Sequence, residues 1–317
     1  MNPHTCRLAQ AVHYYLDRRR QWGFALQAEA RVLRQLVGYA RQQKHTGPLT
    51  TQLVLGWAQQ PASAAPHWWA RRLAIARRFA RFWKVLDPRT EMPPSGLFGP
   101  ACSRGPVHLY TREQIAQVLQ AAGTLEPVES LRPLAFQTLW GLLACTGLRV
   151  GEALRLQFED FDPGAATLTV RRSKCGRSRC LPLHASTVAA LKTYRQRRQQ
   201  YFPWTSHRHL FLSLTGRPLS RSQAEETFRT LRAQLGWSYI PQPRLYDLRH
   251  HFAVERLLDW YRQGQTQMEQ RIHALATYLG HRQIRHTYWY LSAAPELLAL
   301  ASARAAAATA GAGGLHD

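Results

Sequence analysis

The most informative part of the chain is YDLRHHFA at residues 246–253, which is followed by LGH at 279–281 and by Tyr290. A second arginine lies upstream, at Arg149 in TGLRVGE. An arginine fork can hold two non-bridging oxygens of a phosphodiester, whereas lysine offers only a point charge. A tyrosine beside such a clamp is a nucleophile that would leave a covalent phosphotyrosyl link. The pattern therefore predicts a site that cleaves a phosphodiester.

These motifs resemble those of the tyrosine recombinase, or phage integrase, family. The resemblance rests on TGLRVGE at 146–152, Ser173-Lys174, YDLRHHFA, LGH and Tyr290, in the family's order and near its spacing. Each motif alone is weak, but the ordered set covers about half of the chain and is a strong signal. It implies a site-specific recombinase that breaks and rejoins double-stranded DNA. It also implies a C-shaped DNA clamp of two domains and a homo-tetramer on DNA.

Composition points to a polyanionic partner. The chain carries 42 Lys and Arg against 19 Asp and Glu, a formal net charge of +23. Residues 1–100 hold 15 of these basic residues and only 4 acidic ones, so the N-terminal region is the denser cation. Nucleic acid is the first candidate partner and an acidic membrane surface the second. A GC-rich genome would explain arginine over lysine, but not the excess of positive charge.

No cofactor or metal is expected. The cysteines at positions 6, 102, 145, 175 and 180 form no CxxC pair, which suits a reducing cytoplasm. The spacing of Cys175, Cys180 and His184 fits no common zinc pattern. Neither a Walker A loop nor a dinucleotide fingerprint is present, and no signal peptide or membrane-spanning run is recognisable. The sequence predicts a cytoplasmic protein that does not enter a membrane.

The predicted fold is mainly α with one small antiparallel β-sheet. A helical DNA-binding domain is expected over residues 1–90, and a linker rich in proline and glycine over 91–107. A catalytic domain is expected over 108–292, and a C-terminal tail over 293–317. Within the catalytic domain, the pattern predicts a capped helix after Thr111, a β-hairpin and several amphipathic helices. The hairpin strands are expected at 166–172 and 178–183, and late helices at 247–262 and 268–279.

One N-terminal helix carries a basic face. Periodicity predicts this helix from Pro66 to about Leu86, with Arg77, Arg81 and Lys84 opposite the apolar face. Such a face is ordinarily a solvated one. In a protein with the motifs above, it is also a candidate surface for DNA phosphate contacts.

Tyr290 is the predicted nucleophile, and its neighbour Tyr288 is the competitor. The separation from His281 favours Tyr290, since the family's tyrosine lies at that distance. A free tyrosine has a pKa of about 10, so attack at neutral pH needs assistance. Arg149 and Arg249 form the predicted phosphate clamp, stabilising the charge that develops in the transition state.

Lys174 is the predicted general acid for the departing 5′-oxygen. Arginine does not release its proton usefully, whereas a lysine in a cationic site can have a lowered pKa. Only four lysines occur in the chain, and Lys174 falls where the family's catalytic lysine is found. Glu152 is expected to support the site. An Arg149–Glu152 salt bridge is the alternative role for Arg149, which the motif disfavours.

His281 is expected to donate a hydrogen bond to the phosphate and also to end a helix, where the dipole favours it. Tyr246 departs from the family, which usually has a histidine three residues before the second arginine. A tyrosine there can still donate a hydrogen bond but is a poor proton shuttle. The missing role falls to His250 or His251, and this choice stays open.

The C-terminal tail offers a small apolar face made of Leu297, Leu298, Leu300 and Ala301. In the family such a tail docks onto a neighbouring protomer; a frayed terminus is the alternative.

Two other functions fit the chemistry less well. A topoisomerase-like enzyme would relax DNA without a partner duplex, and a non-catalytic DNA-binding protein would keep only the scaffold. A mobile-element enzyme is favoured over a housekeeping one.

Overall fold

A computed structural model describes residues 3–24, 26–100, 106–171, 178–264, 267–292 and 294–312. The chain divides into two compact units, Met1–Gly105 and Pro106–Asp317. The boundary falls within the predicted linker, 91–107. Among the described residues, no helix is both long and apolar enough to cross a membrane.

The first unit is helical, as predicted. Its helices are α1 (Pro3–Gln21), α2 (Gln27–Gln42), α3 (Thr51–Ala58) and α4 (Pro66–Trp83). The side chain of Thr50 accepts a hydrogen bond from the backbone of Leu53 and so caps α3. Pro66 begins α4, where its missing N–H costs nothing. The fully buried side chains of Leu33, Trp57 and Phe79 join three of these helices in one core.

Helix α4 ends earlier than predicted. Its last residue is Trp83, and Leu86 is 53% exposed, so the apolar face does not reach that residue. The next turn closes with the backbone N–H of Asp87 on the carbonyl of Trp83. Pro88 disfavours helical geometry at the residue before it, so the helix does not continue beyond this turn.

The predicted basic face of α4 is only partly available. Arg77 is half-buried and donates a hydrogen bond to the carbonyl of Pro93 in its own unit. Arg81 and Lys84 are exposed, although Lys84 follows the helix as its C-terminal cap. Of the three residues predicted to contact DNA, Arg81 and Lys84 are therefore exposed at the surface, whereas Arg77 is half-buried.

Residues 91–98 pack against the first unit. The backbone N–H of Thr51 donates to the carboxylate of Glu91 at 2.7 Å. Met92 and Phe98 are partly buried against the core of the same unit. The first part of the predicted linker thus has a fixed place.

The second unit is mainly α around one small sheet, which confirms the predicted fold class. Its helices are α5 (Arg112–Ala122), α6 (Arg132–Thr146), α7 (Val150–Ala153), α8 (Ala185–Tyr201), α9 (Arg221–Gln234), α10 (Asp247–Arg262), α11 (Met268–Leu279), α12 (Arg285–Tyr288) and α13 (Pro295–Ala312). Trp289–Ser292 forms a 3₁₀ turn between α12 and α13. The capping box predicted at Thr111 is present, with Gln114 as its partner.

The sheet is antiparallel and has the order β1 (Phe161–Asp162), β2 (Thr167–Val170) and β3 (Arg179–Pro182). Val170 pairs with Arg179 at the end of β2 and the start of β3. The predicted turn of this hairpin and Lys174 fall within residues 172–177, outside the described part of the chain.

Helix α6 forms the centre of the unit. Its side chains are apolar on every side, and Leu139, Trp140 and Leu143 are at most 1% exposed. A helix that is apolar all round is stable only when neighbours cover it. Helices α5, α8 and α10 do so, and α10 thereby holds its N-terminal turn beside the end of α6.

Helix α13 begins within the core of the second unit. Leu297 is completely buried in a cluster that includes Leu257 and Tyr290. Arg262 donates two hydrogen bonds to Glu296, at 3.1 and 2.7 Å. The boundary predicted at residue 293 is therefore not the end of this core, and the first turn of the tail packs on its own protomer. Docking onto a neighbouring protomer stays a prediction.

Candidate active site

Two glycine turns shape the site. Gly147 ends α6 with φ +61°, and a Cβ there would lie 2.5 Å from Cδ1 of Phe252. Gly280 ends α11 with φ +68°, and a Cβ there would lie 2.9 Å from Nη1 of Arg179. Both positions need the left-handed backbone and the missing side chain that glycine provides. The glycines of TGLR and LGH are thus structural requirements of the site.

Arg249 joins the two turns. Its side chain is buried, and Nη1 donates to the carbonyl of Gly147 at 2.7 Å. Its Nη2 donates to the carbonyl of Leu279 at 2.8 Å. Burial and then the charge of Arg149 lower the pKa of Arg249 from its usual value. The guanidinium is held rigidly at the bottom of the site.

Arg149 lies at the start of α7, as the cap residue of that helix. Its Nη1 donates to Glu152 at 2.8 Å, and its Nη2 to the carbonyl of Gly280 at 3.3 Å. The sequence disfavoured the Arg149–Glu152 salt bridge, and that judgement is wrong. The pair forms because the cap of α7 places the two side chains one turn apart. The Arg149 side chain is still 27% exposed, so the pair leaves part of this side chain accessible.

Glu152 is shared between two arginines. Arg179 of β3 contacts its carboxylate with Nη2 at 2.9 Å and Nη1 at 3.2 Å. Burial alone raises the pKa of Glu152, but the hydrogen bonds and charges of Arg179 and Arg149 outweigh it and lower the pKa to about 2. The carboxylate is therefore ionised, and it holds both arginines in place.

Arg179 was not among the predicted site residues. It also donates from Nε to the carbonyl of Tyr278 at 2.8 Å, which ties β3 to the end of α11. The alternation of side-chain directions along a strand could have indicated from the sequence that Arg179 points inward. Because Leu181 points into the core, Arg179 two residues earlier points the same way.

His281 connects Arg249 to Thr287. Its Nε2 lies 3.0 Å from Nη2 of Arg249, and its Nδ1 lies 2.7 Å from the buried hydroxyl of Thr287. A guanidinium can only donate, so we assign Nε2 as the acceptor and place the ring proton on Nδ1. Burial, then the charges of Arg249 and Arg149, lower the pKa of His281 to about 3. The imidazole is neutral at physiological pH.

Stability should fall on acidification because of His281. Its usual pKa is 6.5, so between pH 6.5 and about 3 the unfolded chain binds a proton that the folded protein rejects. The free energy of unfolding then decreases as the pH falls through this window. In His281→Gln, we expect the slope between about pH 5 and 6 to be smaller by about 1 kcal/mol per pH unit. Urea unfolding of both proteins across this range measures it, and equal slopes would contradict the assignment.

Tyr290 lies in the 3₁₀ turn after α12 and is only 2% exposed. Its ring is stacked on that of His281, with centroids 6.0 Å apart. Burial raises the pKa of Tyr290, and the charge and a hydrogen bond of Arg249 act in the opposite direction. Tyr288, the competing candidate, is 39% exposed at the end of α12.

Tyr246 and His250 lie one helical turn apart near the start of α10. Tyr246 is 43% exposed, and its ring meets that of His250 edge-on at 4.9 Å. His251 instead faces Tyr110, with ring centroids 6.5 Å apart. Of the two candidate histidines, only His250 therefore lies on the side of α10 that faces Tyr290.

The structure thus brings together Arg149, Glu152, Arg249, His281 and Tyr290, with Tyr246 and His250 beside them. Arg77, Arg81 and Lys84 belong to the first unit. The sequence model of the phage integrase family matches residues 109–296, which include this whole site. The chain belongs to the phage integrase family. Its general function is accordingly that of a site-specific tyrosine recombinase.

Two sequence relatives of this integrase-family protein match it over nearly its full length, and a third matches over a little more than half. The putative integrase/recombinase y4rB of Sinorhizobium fredii is 40% identical over 297 residues, which are 91% of this chain and 94% of that protein. The putative integrase/recombinase y4rE of the same organism is 34% identical over 94% of this chain and 96% of its own. The type 1 fimbriae regulatory protein FimB of Escherichia coli is 33% identical over 187 residues, 58% of this chain and 83% of that protein.

Solved structures of integrases share the fold. The Tn1549 transposon integrase in complex with transposon right end DNA has a TM-score of 0.66 and 16% identity, over 93% of this chain and 97% of that one. A lambda integrase dimer bound to a COC′ core site has a TM-score of 0.63 and 16% identity, over 89% and 76%. This integrase-family protein therefore has the tyrosine recombinase fold.

Proposed function

We propose that the protein cleaves and rejoins double-stranded DNA at specific sites, with Tyr290 as the nucleophile. The observation that carries this is the position of Arg249. Arg249 is buried, donates hydrogen bonds to the carbonyls of Gly147 and Leu279, and lies 3.0 Å from His281. Its charge and a hydrogen bond also act to lower the pKa of the Tyr290 phenol, against the effect of burial. A phosphodiester that enters this site meets fixed hydrogen-bond donors at the nucleophile.

In the proposed reaction, the Tyr290 oxygen attacks the phosphorus atom. An O–P bond to the tyrosine forms, and the bond from phosphorus to the 5′-oxygen breaks. The products are a 3′-phosphotyrosyl link and a free 5′-hydroxyl. Since the link conserves the energy of the broken bond, the 5′-hydroxyl of a partner strand can reverse the step without ATP or metal. Two such rounds through a four-way junction complete recombination.

Arg149 and Arg249 supply the positive charge that this transition state needs. Negative charge grows on the non-bridging oxygens, and preorganised donors stabilise it. Burial and the charges of Arg249 and Arg149 keep His281 neutral, and a bound phosphate would counter the two charges. The pKa of His281 would rise, and the imidazole could then donate to the phosphate as the sequence predicts.

Lys174 is proposed as the acid that protonates the leaving 5′-oxygen. Support comes from Arg179, the first residue of β3, which contacts Glu152 inside the site. Val170 pairs with Arg179 at the same end of the hairpin. Lysine can give up its proton in such a cationic setting.

The DNA partner follows from charge and from the relatives. The net charge of +23 and the exposed Arg81 and Lys84 suit contacts to a phosphate backbone. We further propose a mobile-element enzyme that acts as a homo-tetramer on DNA. Its similarity to putative integrases of Sinorhizobium fredii and the shared fold of a transposon integrase support this role.

A plasmid assay tests the proposal. A supercoiled plasmid carries two copies of the DNA that borders the protein's own coding region, and the purified full-length protein is added without metal or ATP. Recombined circles are the expected product. Relaxation without recombinants would favour the topoisomerase-like alternative. Tight binding with neither product would favour a non-catalytic DNA-binding protein. A single-site plasmid is the matched control.

A further inference from the structure

The phenol of Tyr290 must lose its proton to attack, and burial makes that loss harder. Burial raises the pKa of Tyr290 more than the charge of Arg249 lowers it. A proton acceptor beside the phenol is therefore needed near neutral pH. Two imidazoles contact the Tyr290 ring, those of His281 and His250.

His281 is poorly suited to accept this proton. Its Nε2 lone pair already accepts a hydrogen bond from Arg249, and its Nδ1 carries the proton shared with Thr287. The charges of Arg249 and Arg149 also lower the pKa of His281, so a protonated ring is disfavoured before phosphate binds. With phosphate bound, the same ring serves as a donor.

His250 is buried and held by aromatic rings. Its centroid lies 5.5 Å from that of Tyr290, with the two planes at 62°. Trp289 packs at 5.1 Å and 67°, and Tyr246 at 4.9 Å and 82°. Edge-to-face contacts of this kind are the favourable arrangement of aromatic pairs. They fix the imidazole plane against the nucleophile.

We propose that His250 accepts the proton of Tyr290 during cleavage, and that Tyr246 orients it for this task. The inference rests on the proposed function. His250 thereby takes the proton-transfer role of the histidine that the family usually has at position 246. His250 is the catalytic residue here, since it touches the reacting side chain, and Tyr246 is a positioning residue.

The step balances without a further reactant. As the Tyr290 oxygen bonds to phosphorus, its proton passes to a ring nitrogen of His250, and the 5′-oxygen leaves with a proton from Lys174. In rejoining, the 5′-hydroxyl attacks the same phosphorus and gives its proton back to Lys174. His250 then returns its proton to the departing Tyr290 oxygen.

The two arginines near the pair disfavour a positive imidazolium, and a bound phosphate offsets them. The charged and titratable groups that act on Tyr290 are Arg249, Tyr246 and Arg149. The scissile phosphodiester carries one negative charge, and the phosphotyrosyl link keeps that charge beside the imidazolium, where it offsets the two arginines. His250 thus gains its proton with the phosphate charge already bound beside the tyrosine.

The same helix provides a matched control in His251. It is as buried as His250, at 8%, but faces Tyr110 on another side of α10. Phenylalanine at either position keeps an aromatic ring and removes the proton acceptor. His250→Phe and His251→Phe therefore differ in whether the lost imidazole packs against the ring of the nucleophile.

The first test measures single-turnover formation of the covalent adduct on a nicked duplex, from pH 6 to pH 9. We expect His250→Phe to be slower than wild type by about 10² to 10³ at neutral pH. The difference in rate between His250→Phe and wild type should decrease as the pH rises, because hydroxide or an ionised phenol then takes the place of the His250 base. His251→Phe should stay within a few-fold of wild type. A loss that is equal at every pH, or an equal loss in His251→Phe, would overturn the proposal.

A second test separates the nucleophile's proton from that of the leaving group. A duplex with sulfur in place of the bridging 5′-oxygen has a leaving group that needs no proton. The defect of His250→Phe should persist on this duplex. Recovery to the wild-type rate would show that His250 acts on the leaving group, which contradicts the proposal. If wild-type protein forms no adduct with either duplex, the proposed function itself fails.

Discussion

Replacing Arg249 with lysine should reduce the rate of covalent adduct formation by about 10³-fold. The guanidinium donates to Gly147 and Leu279 and contacts His281. A single ammonium cannot satisfy these groups and also present a planar pair of donors to a phosphate. Lysine therefore keeps the charge and loses the geometry. Single-turnover cleavage of a nicked duplex, with folding checked by circular dichroism, measures the effect.

Arg262→Lys is the matched control. This arginine ends the same helix and pairs with Glu296, with a side chain that is 48% exposed. The same substitution there should leave cleavage within about two-fold, since exposed ion pairs contribute little. A folded Arg249→Lys protein that cleaves at the wild-type rate would show that the buried guanidinium is not part of the phosphate clamp.

Replacing Glu152 with glutamine should lower the free energy of unfolding by about 3 kcal/mol. The carboxylate is 3% exposed and pairs with Arg149 and Arg179. Without it, two neighbouring guanidinium groups repel each other beside the positive Arg249. Removal of one partner from a buried ion pair is costly because the other charge stays buried. Urea unfolding at pH 7 gives the magnitude.

Glu159→Gln provides the comparison. Glu159 pairs with Arg208, and both side chains are well exposed, at 43% and 68%. The loss there should be about 0.5 kcal/mol or less. Equal losses in the two variants would mean that Glu152 does not hold the arginines.

The pKa of Glu152, lowered to about 2, predicts that its contribution to the free energy of unfolding is present above pH 4.5 and is lost as the pH falls toward 2.

Several elements could be predicted from the sequence because local signals coincide there. Helices α10 and α11 occupy the ranges expected from hydrophobic periodicity, and Thr111 and Gln114 form the expected capping box. Where a tertiary contact decides, local signals fail. The first turn of α13 joins the core although it looks like a tail.

The site shows the same division. The resemblance identified Arg149, Arg249, His281 and Tyr290, and the structure places these four together. The structure added the supporting contacts: Arg179 reaches the site from a strand, and the hydroxyl of Thr287 lies 2.7 Å from Nδ1 of His281. No local pattern specifies a pairing between residues more than a hundred positions apart, such as Arg249 with Gly147.

Covalent trapping tests the central claim most directly. Nicked duplexes that tile the DNA bordering the coding region are incubated with wild-type protein, Tyr290→Phe and Tyr288→Phe, and adducts that survive denaturation are counted. We expect an adduct with wild type and Tyr288→Phe and none with Tyr290→Phe, because it is the buried Tyr290 that contacts Arg249 and His281. An adduct that persists in Tyr290→Phe and disappears in Tyr288→Phe would contradict it.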